Sequence, residues 1–278
     1  MAVKITKFKD FKGNFSQKFY AFDFDDNILM LPTKIHMMHN TDGDWVQEQV
    51  STEKFAEIRN HEDWKVYEES FVEFRDFGPR GTNAYLDDIK EALKNKMFGP
   101  SWKDFVKCIT KANIFAIITA RGHEPSTMKR GVEHIIYNVL TTNQKNEMAA
   151  NIMAHASLFN ILDANIDYSF DYLVKTYMNN CYFYGVNSDA FATKHPDLFD
   201  NGKIKLEAAK EQAMKEFMTV IHKYTKRTGF VAKLGFSDDD SKNVECIKKF
   251  FNEKKDLFND INFRIYDTSN GVKKKTRI

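Results

Sequence analysis

Cysteine is scarce in this chain. The three present, Cys108, Cys181 and Cys246, are far apart, odd in number and in no CxxC spacing. That pattern argues against a disulfide framework and a thiolate zinc site, and fits buried thiols in a reducing compartment. Long apolar runs are missing too. No stretch reaches the ~18 apolar residues of a membrane span, and the opening MAVKITKFKDFKGNF has no apolar core of the roughly seven residues that a secretory leader needs. The expectation is a cytoplasmic protein without a membrane partner. Neither GxxxxGK[ST] nor GxGxxG occurs, which removes the nucleotide P-loop and the dinucleotide fingerprint. The eight histidines include no HExxH, and the close pair His36 and His39 reads as surface decoration. Charge of one sign is absent as well: Lys plus Arg is 41 against 39 for Asp plus Glu, a net charge of +2 that advertises no long polyanion as partner. There is no internal repeat and no low-complexity linker.

What the chain does have is apolar mass: 278 residues, 42% hydrophobic and 14% aromatic, enough to bury a substantial core. Four apolar runs, KFYAFDF (18–24), NIFAIIT (113–119), CYFYGV (181–186) and FVAKLGF (230–236), read as strands, with INFRIYD (261–267) as a fifth. Near-continuous hydrophobicity, rather than alternation, marks strands covered on both faces. Between the last three lie KIKLEAAKEQAMKEFMTVIHKY and DSKNVECIKKFFNEK, whose apolar residues recur at three and four. The order predicts an α/β fold: a Rossmann-like, doubly wound parallel sheet of about five strands with helices on both faces. Such a sheet places its chemistry at the carboxyl ends of its strands.

The polar residues follow that rule. Asp23, Asp25 and Asp26 end the first run, Thr119 the second, and Ser237, Asp238, Asp239 and Asp240 the fourth. Carboxylates this crowded repel one another and require a counter-charge. Hard oxygen donors from two strand ends suit a small divalent cation, Mg²⁺ when phosphate is also bound.

An apolar strand ending in DxD (AFDFDD), one ending in Thr (FAIITARG), a lysine-bearing helix and a strand ending in paired Asp (KLGFSDDDSKN) together resemble the haloacid dehalogenase superfamily of phosphotransferases. The resemblance covers roughly residues 15–31, 105–140 and 175–270. It implies a Mg²⁺-dependent phosphohydrolase in which Asp23 attacks phosphorus to form an aspartyl-phosphate and Asp25 acts as acid and then base. It further implies that Asp23, the Asp25 carbonyl, Asp238 and Asp239 form the metal site, and that the Thr119 hydroxyl and the Ala120 N–H bind phosphoryl oxygens. A lysine completes the charge balance. The helix spanning 203–226 offers Lys205, Lys210, Lys215, Lys223 and Lys226; Lys210, beside the apolar stripe of Ala209, Ala213 and Met214, is the choice, with Lys215 and Lys205 behind it. Asn27 departs from the Thr or Val frequent at its position and is expected to support the turn by bonding its own backbone.

On this reading residues 1–31 and 105–278 are a catalytic core, with a helical insertion at about 122–180, and 32–104 are a cap or flap. Asp42 and Gly43 signal a hairpin, and Ser51 a helix cap. Trp45 on the hairpin is expected to contact the leaving group, and Arg75 and Arg80 are candidates for clamping a second anion. The terminal KKKTR reads as a solvated charge run. A small phosphorylated substrate is expected. TARG is also similar to the phosphatase half of nucleic-acid end-repair enzymes, so nucleic-acid ends, or a nucleotidase activity, are the alternative. A non-catalytic binding module of the same fold is the alternative from another class.

Overall fold

The computed structural model describes residues 17–156, 158–159, 161, 166–200, 203–271 and 274–277; the opening segment read above for a leader lies outside them. In chain order the elements are β1 (Gln17–Phe22), β2 (Ile35–Thr41), β3 (Asp44–Val50), α1 (Thr52–Ile58), β4 (Trp64–Lys65), α2 (Ala84–Lys94), α3 (Trp102–Thr110), β5 (Ile114–Thr119), α4 (Pro125–Asn138), α5 (Thr142–Ala154), α6 (Phe170–Met178), β6 (Tyr182–Gly185), α7 (Asp189–Lys194), β7 (Phe199–Asp200), β8 (Lys203–Ile204), α8 (Leu206–Thr228), β9 (Ala232–Asp238), α9 (Ser241–Lys254), β10 (Ile261–Asp267) and β11 (Lys274–Arg277).

All five apolar runs are strands of one six-stranded sheet, in the order β11-β10-β9-β1-β5-β6. Every pairing among the five is parallel. From β1 the chain steps outward to β5 and β6, then returns to the other side for β9 and β10, so the strand order reverses between β1 and β9. Phe19 packs on Phe217 and Tyr224 of α8, whereas Phe22 packs on Phe105 of α3. An odd spacing along a strand puts two side chains on opposite faces. Helices therefore flank both faces, an architecture compatible with a Rossmann-like, doubly wound sheet.

Two sequence readings shift. The sheet has a sixth strand, because Lys274–Arg277 of the KKKTR run supplies β11, antiparallel to β10. Lys274 and Lys275 stay exposed as a charge run would, but their backbone pairs with an edge whose N–H and C=O groups otherwise lack partners. The fourth run begins two residues later than its apolar onset and extends through Asp238. Gly229, at φ 71°, ends α8 in the left-handed conformation, and half-exposed Phe230 and Val231 lead into the sheet.

The 32–104 segment carries its own small sheet, β3-β2-β4, over a minor core of Ile35, Met37, Val50 and Ile58. Its hairpin turns at Asp42 (φ 55°) and Gly43 (φ 98°), the two positive values that a tight two-residue turn requires. Ser51 caps α1, its side chain accepting from the Lys54 N–H at 3.1 Å. The helices of 122–180 are continuous with the main core: Met128, Val132, Ile135, Met148, Ile152 and Val174 are buried in the same cluster as the sheet.

Candidate functional site

β1 and β9 flank the point where strand order reverses, and ligands of open α/β sheets bind in the crevice there. Phe22 pairs with Ser237, and the Asp23 N–H donates to the Ser237 carbonyl at 2.9 Å. Asp23 and Asp238 thus emerge side by side, both buried. The chain turns at once, with Asp26 at φ 54°. Buried Asn27 fixes the turn from within. Its Nδ2 donates to the carbonyls of Asp23 (3.0 Å) and Ser237 (3.1 Å), and its Oδ1 accepts from the hydroxyls of Ser237 (3.0 Å) and Thr268 (2.9 Å). Asn27 therefore ties together the ends of β1, β9 and β10, beyond the local turn expected of it.

Lys210, one turn into α8 and 3% exposed, donates to Asp23 Oδ1 at 2.8 Å and to Asp238 Oδ2 at 3.0 Å. Burial alone would push the ammonium down; the two carboxylates outweigh it and hold Lys210 charged, above the ordinary lysine range. Burial pushes the Asp23 carboxyl well above the ordinary carboxylate range; Lys210 opposes the rise, and Asp238, Asp239 and Asp25 add to it. Asp238 Oδ1 accepts from the Asp240 N–H (3.0 Å) and from Asn243 Nδ2 (3.1 Å). Asp239, desolvated and beside Asp238 and Asp26, is pushed up to about 8. Asp26 is raised to about 6, first by burial and then by Asp25, with a hydrogen bond from Thr52 of α1 opposing the rise.

Asp25 has a separate partner. Arg121 donates from Nε to Oδ1 (3.0 Å) and Oδ2 (2.8 Å) and from Nη2 to Oδ1 (2.6 Å). The Thr119 hydroxyl lies 3.3 Å from Asp25 Oδ2. The guanidinium is 1% exposed, 4.5 Å from the Phe74 ring centroid and 5.3 Å from that of Tyr85. Its Nη2 also donates to the Thr33 hydroxyl (2.7 Å), which donates to Asp88 (2.5 Å); Asp88 accepts from Arg80, and Arg80 also reaches Glu73 (3.3 Å). One hydrogen-bonded chain so runs from the DxD turn into the 32–104 segment.

The predicted residues distribute as follows. Asp23, Asp25, Thr119, Lys210, Asp238 and Asp239 gather at one sheet edge. Ala120 is exposed beside them, its carbonyl accepting from Asn187 Nδ2 at 2.6 Å. Lys205 and Lys215 are exposed, Lys205 as the N-cap of α8. Arg80 is committed to Asp88 and Glu73, which corrects its reading as an anion clamp, because those two buried acids already neutralise it. Trp45 sits near the hairpin turn with Lys65 Nζ 3.7 Å from its ring centroid. His39 stacks on Trp64, and His36 bonds Glu73 at 2.9 Å, so neither is mere decoration.

Sequence reasoning missed the roles of Arg121, Thr33, Asp88 and Asp26. For Arg121 there was a signal: a guanidinium two residues beyond a strand-ending Thr, on the edge where carboxylates collect. Asp88 carried none, since an acid on an amphipathic helix is ordinarily solvated.

Among the described residues no group of three or more His, Cys, Asp and Glu side chains is arranged to hold a metal ion. The donor chemistry nonetheless fits a hard cation. Lys210 and Arg121 offset two of the five carboxylates Asp23, Asp25, Asp26, Asp238 and Asp239, and burial first, then the neighbouring Asp238 and Asp26, drives Asp239 upward. No protein-family model, curated protein or solved structure matches the chain.

Proposed function

We propose that the protein is a Mg²⁺-dependent phosphohydrolase that cleaves a phosphate monoester through an aspartyl-phosphate on Asp23. One observation carries the reading: Lys210 bridges two buried carboxylates from adjacent strand ends, 2.8 Å from Asp23 and 3.0 Å from Asp238, at the point where strand order reverses. An anionic nucleophile must be both buried and charged, and a buried ammonium is the group that permits this.

Asp23 Oδ1 is held by Lys210, which leaves Oδ2 to attack phosphorus. Lys210 and the Thr119 hydroxyl bind the phosphoryl oxygens that gain charge in the transition state. Asp25, oriented by Arg121 and protonated as the substrate binds, delivers that proton to the leaving oxygen and then takes one from the attacking water. Mg²⁺, bound by Asp23, the Asp25 carbonyl, Asp238 and Asp239, would supply the neutralisation that lets an anionic carboxylate approach an anionic phosphate.

The test is a panel of phosphorylated metabolites, nucleotides and phosphorylated oligonucleotide ends assayed with Mg²⁺, followed by Asp23→Asn and Asp25→Asn. Asp23→Asn should fall below about a tenth of wild-type turnover, because an amide cannot attack phosphorus. Asp25→Asn should still form the phosphoenzyme from an aryl phosphate but break it down slowly. No turnover of any ester by the wild type, or turnover by Asp23→Asn above about a tenth of wild type, refutes the proposal.

A further inference from the structure

A cavity of about 210 Å³ opens beside the loop that follows β5, walled on one side by the 75–78 loop and on the other by Gly122, Glu124 and Asp189. Gly122 is within three residues of Thr119, so this wall lies at most ~11 Å of chain from the phosphoryl edge. The approach of the two walls is built in: a Cβ on Gly122 would meet Arg75 Cγ and the Asn187 carbonyl oxygen, each at 2.9 Å. Asp76 is 5% exposed; its Oδ2 accepts from the Glu124 N–H at 2.8 Å, while Oδ1 is buried without a hydrogen-bond partner among the described residues. Phe77, by contrast, is 83% exposed at the rim.

We infer that this cavity receives the ring sugar of the substrate's leaving group, with ring hydroxyls donating to Asp76, Glu124 and Asp189 and the ring face lying on Phe77. The inference rests on the phosphohydrolase reading. An ionised carboxylate only accepts hydrogen bonds, so three of them call for a ligand that brings donors. A phosphate or carboxylate would be repelled. An ammonium would meet the guanidinium of Arg75, which also lines the cavity and has no ion pair among the described residues. Neutral hydroxyls satisfy both walls. An exposed aromatic ring next to such acceptors suits a ligand with an apolar C–H face and polar edges. The volume is below the roughly 300–1,000 Å³ of sites that enclose drug-sized ligands, so it takes a single ring and not a whole nucleotide or an oligonucleotide.

The experiment compares wild type, Asp76→Asn and Phe77→Ala on ribose 5-phosphate, AMP and p-nitrophenyl phosphate. Phe77→Ala removes a side chain that is almost wholly in solvent, so it keeps the test valid if Asp76→Asn fails to fold. Each folded variant should lower the ratio of kcat/KM for the better sugar-bearing substrate to that for p-nitrophenyl phosphate at least fivefold; a smaller change in Phe77→Ala overturns the inference. Preference for ribose 5-phosphate or for AMP distinguishes a free sugar phosphate from a nucleotide's ribose as the source of the ring. If the wild type hydrolyses none of the three, the cavity is read separately by saturation-transfer NMR with methyl riboside, while the phosphohydrolase reading stands or falls on the wider panel. Signal in the wild type that Phe77→Ala abolishes supports the sugar site; no signal, or signal unchanged in the variant, overturns it.

Discussion

Arg121 grips Asp25 through three hydrogen bonds of 2.6, 2.8 and 3.0 Å while only 1% of the arginine is exposed. Such a pair is expensive to break from one side, because the survivor, Asp25, is a partly buried carboxylate without its partner. Arg121→Met is therefore expected to destabilise the fold by about 3–5 kcal/mol, measured by urea denaturation. Arg121→Lys should recover only part of that loss, since an ammonium cannot reproduce the two-pronged contact. A variant as stable as wild type would mean that the pair contributes nothing.

Asn27 gives the second expectation. Asn27→Ala takes the Nδ2 donor from the buried Asp23 carbonyl and removes one of two partners from the Ser237 carbonyl, the Ser237 hydroxyl and the Thr268 hydroxyl, which keep the Asp23 N–H, Ser101 and the Asp238 carbonyl. Unsatisfied buried groups cost about 1–3 kcal/mol each. The loss should be about 1–3 kcal/mol, and hydrogen exchange should quicken at the ends of β1 and β9. A loss under about 1 kcal/mol would show that other groups hold these strand ends.

Charge counting gives the third. The five acids Asp23, Asp25, Asp26, Asp238 and Asp239 share the edge with two cations, Lys210 and Arg121, and Asp239 is pushed up to about 8, first by burial and then by Asp238 and Asp26. Millimolar Mg²⁺ should raise the melting temperature, and EDTA should stop turnover. Identical melting with and without Mg²⁺, together with EDTA-resistant turnover, would remove the metal from the proposal.

The fourth concerns pH and lies in the 32–104 segment. Burial raises the Glu73 carboxyl, but hydrogen bonds from His36, the Lys34 N–H and Arg80 outweigh it and hold it below the ordinary value of 4.5. A folded pKa below the unfolded one means that the stabilisation is present above pH 4.5 and is lost as pH falls through the folded value. Glu73→Gln should melt lower than wild type at pH 7, with the gap closing in acid. A hydrogen bond to a charged group contributes about 1.5–3 kcal/mol, which sets the scale of the gap. A gap that does not change with pH would place the effect in packing instead of charge.

The sequence by itself determined the five parallel strands and the edge on which the carboxylates collect. Strands covered on both faces are near-continuously apolar, and the carboxylates or hydroxyl that close each run mark where the cover ends. Asp23, Thr119 and Asp238 were legible for that reason, and Lys210 because it sits beside the buried stripe of α8. Only the tertiary structure decided which cation meets which acid. Asp25 and Arg121 are 96 residues apart, and Arg121 reaches Asp88 through Thr33 of another segment; no local period encodes such a pairing. Tertiary packing likewise spent Arg80 on Asp88 and Glu73 and left Arg75 beside a cavity, although both arginines flank the same Gly/Pro loop. β11 escaped the reading because an edge strand is chosen by the unpaired backbone of its neighbour, and its charged side chains say nothing about that edge.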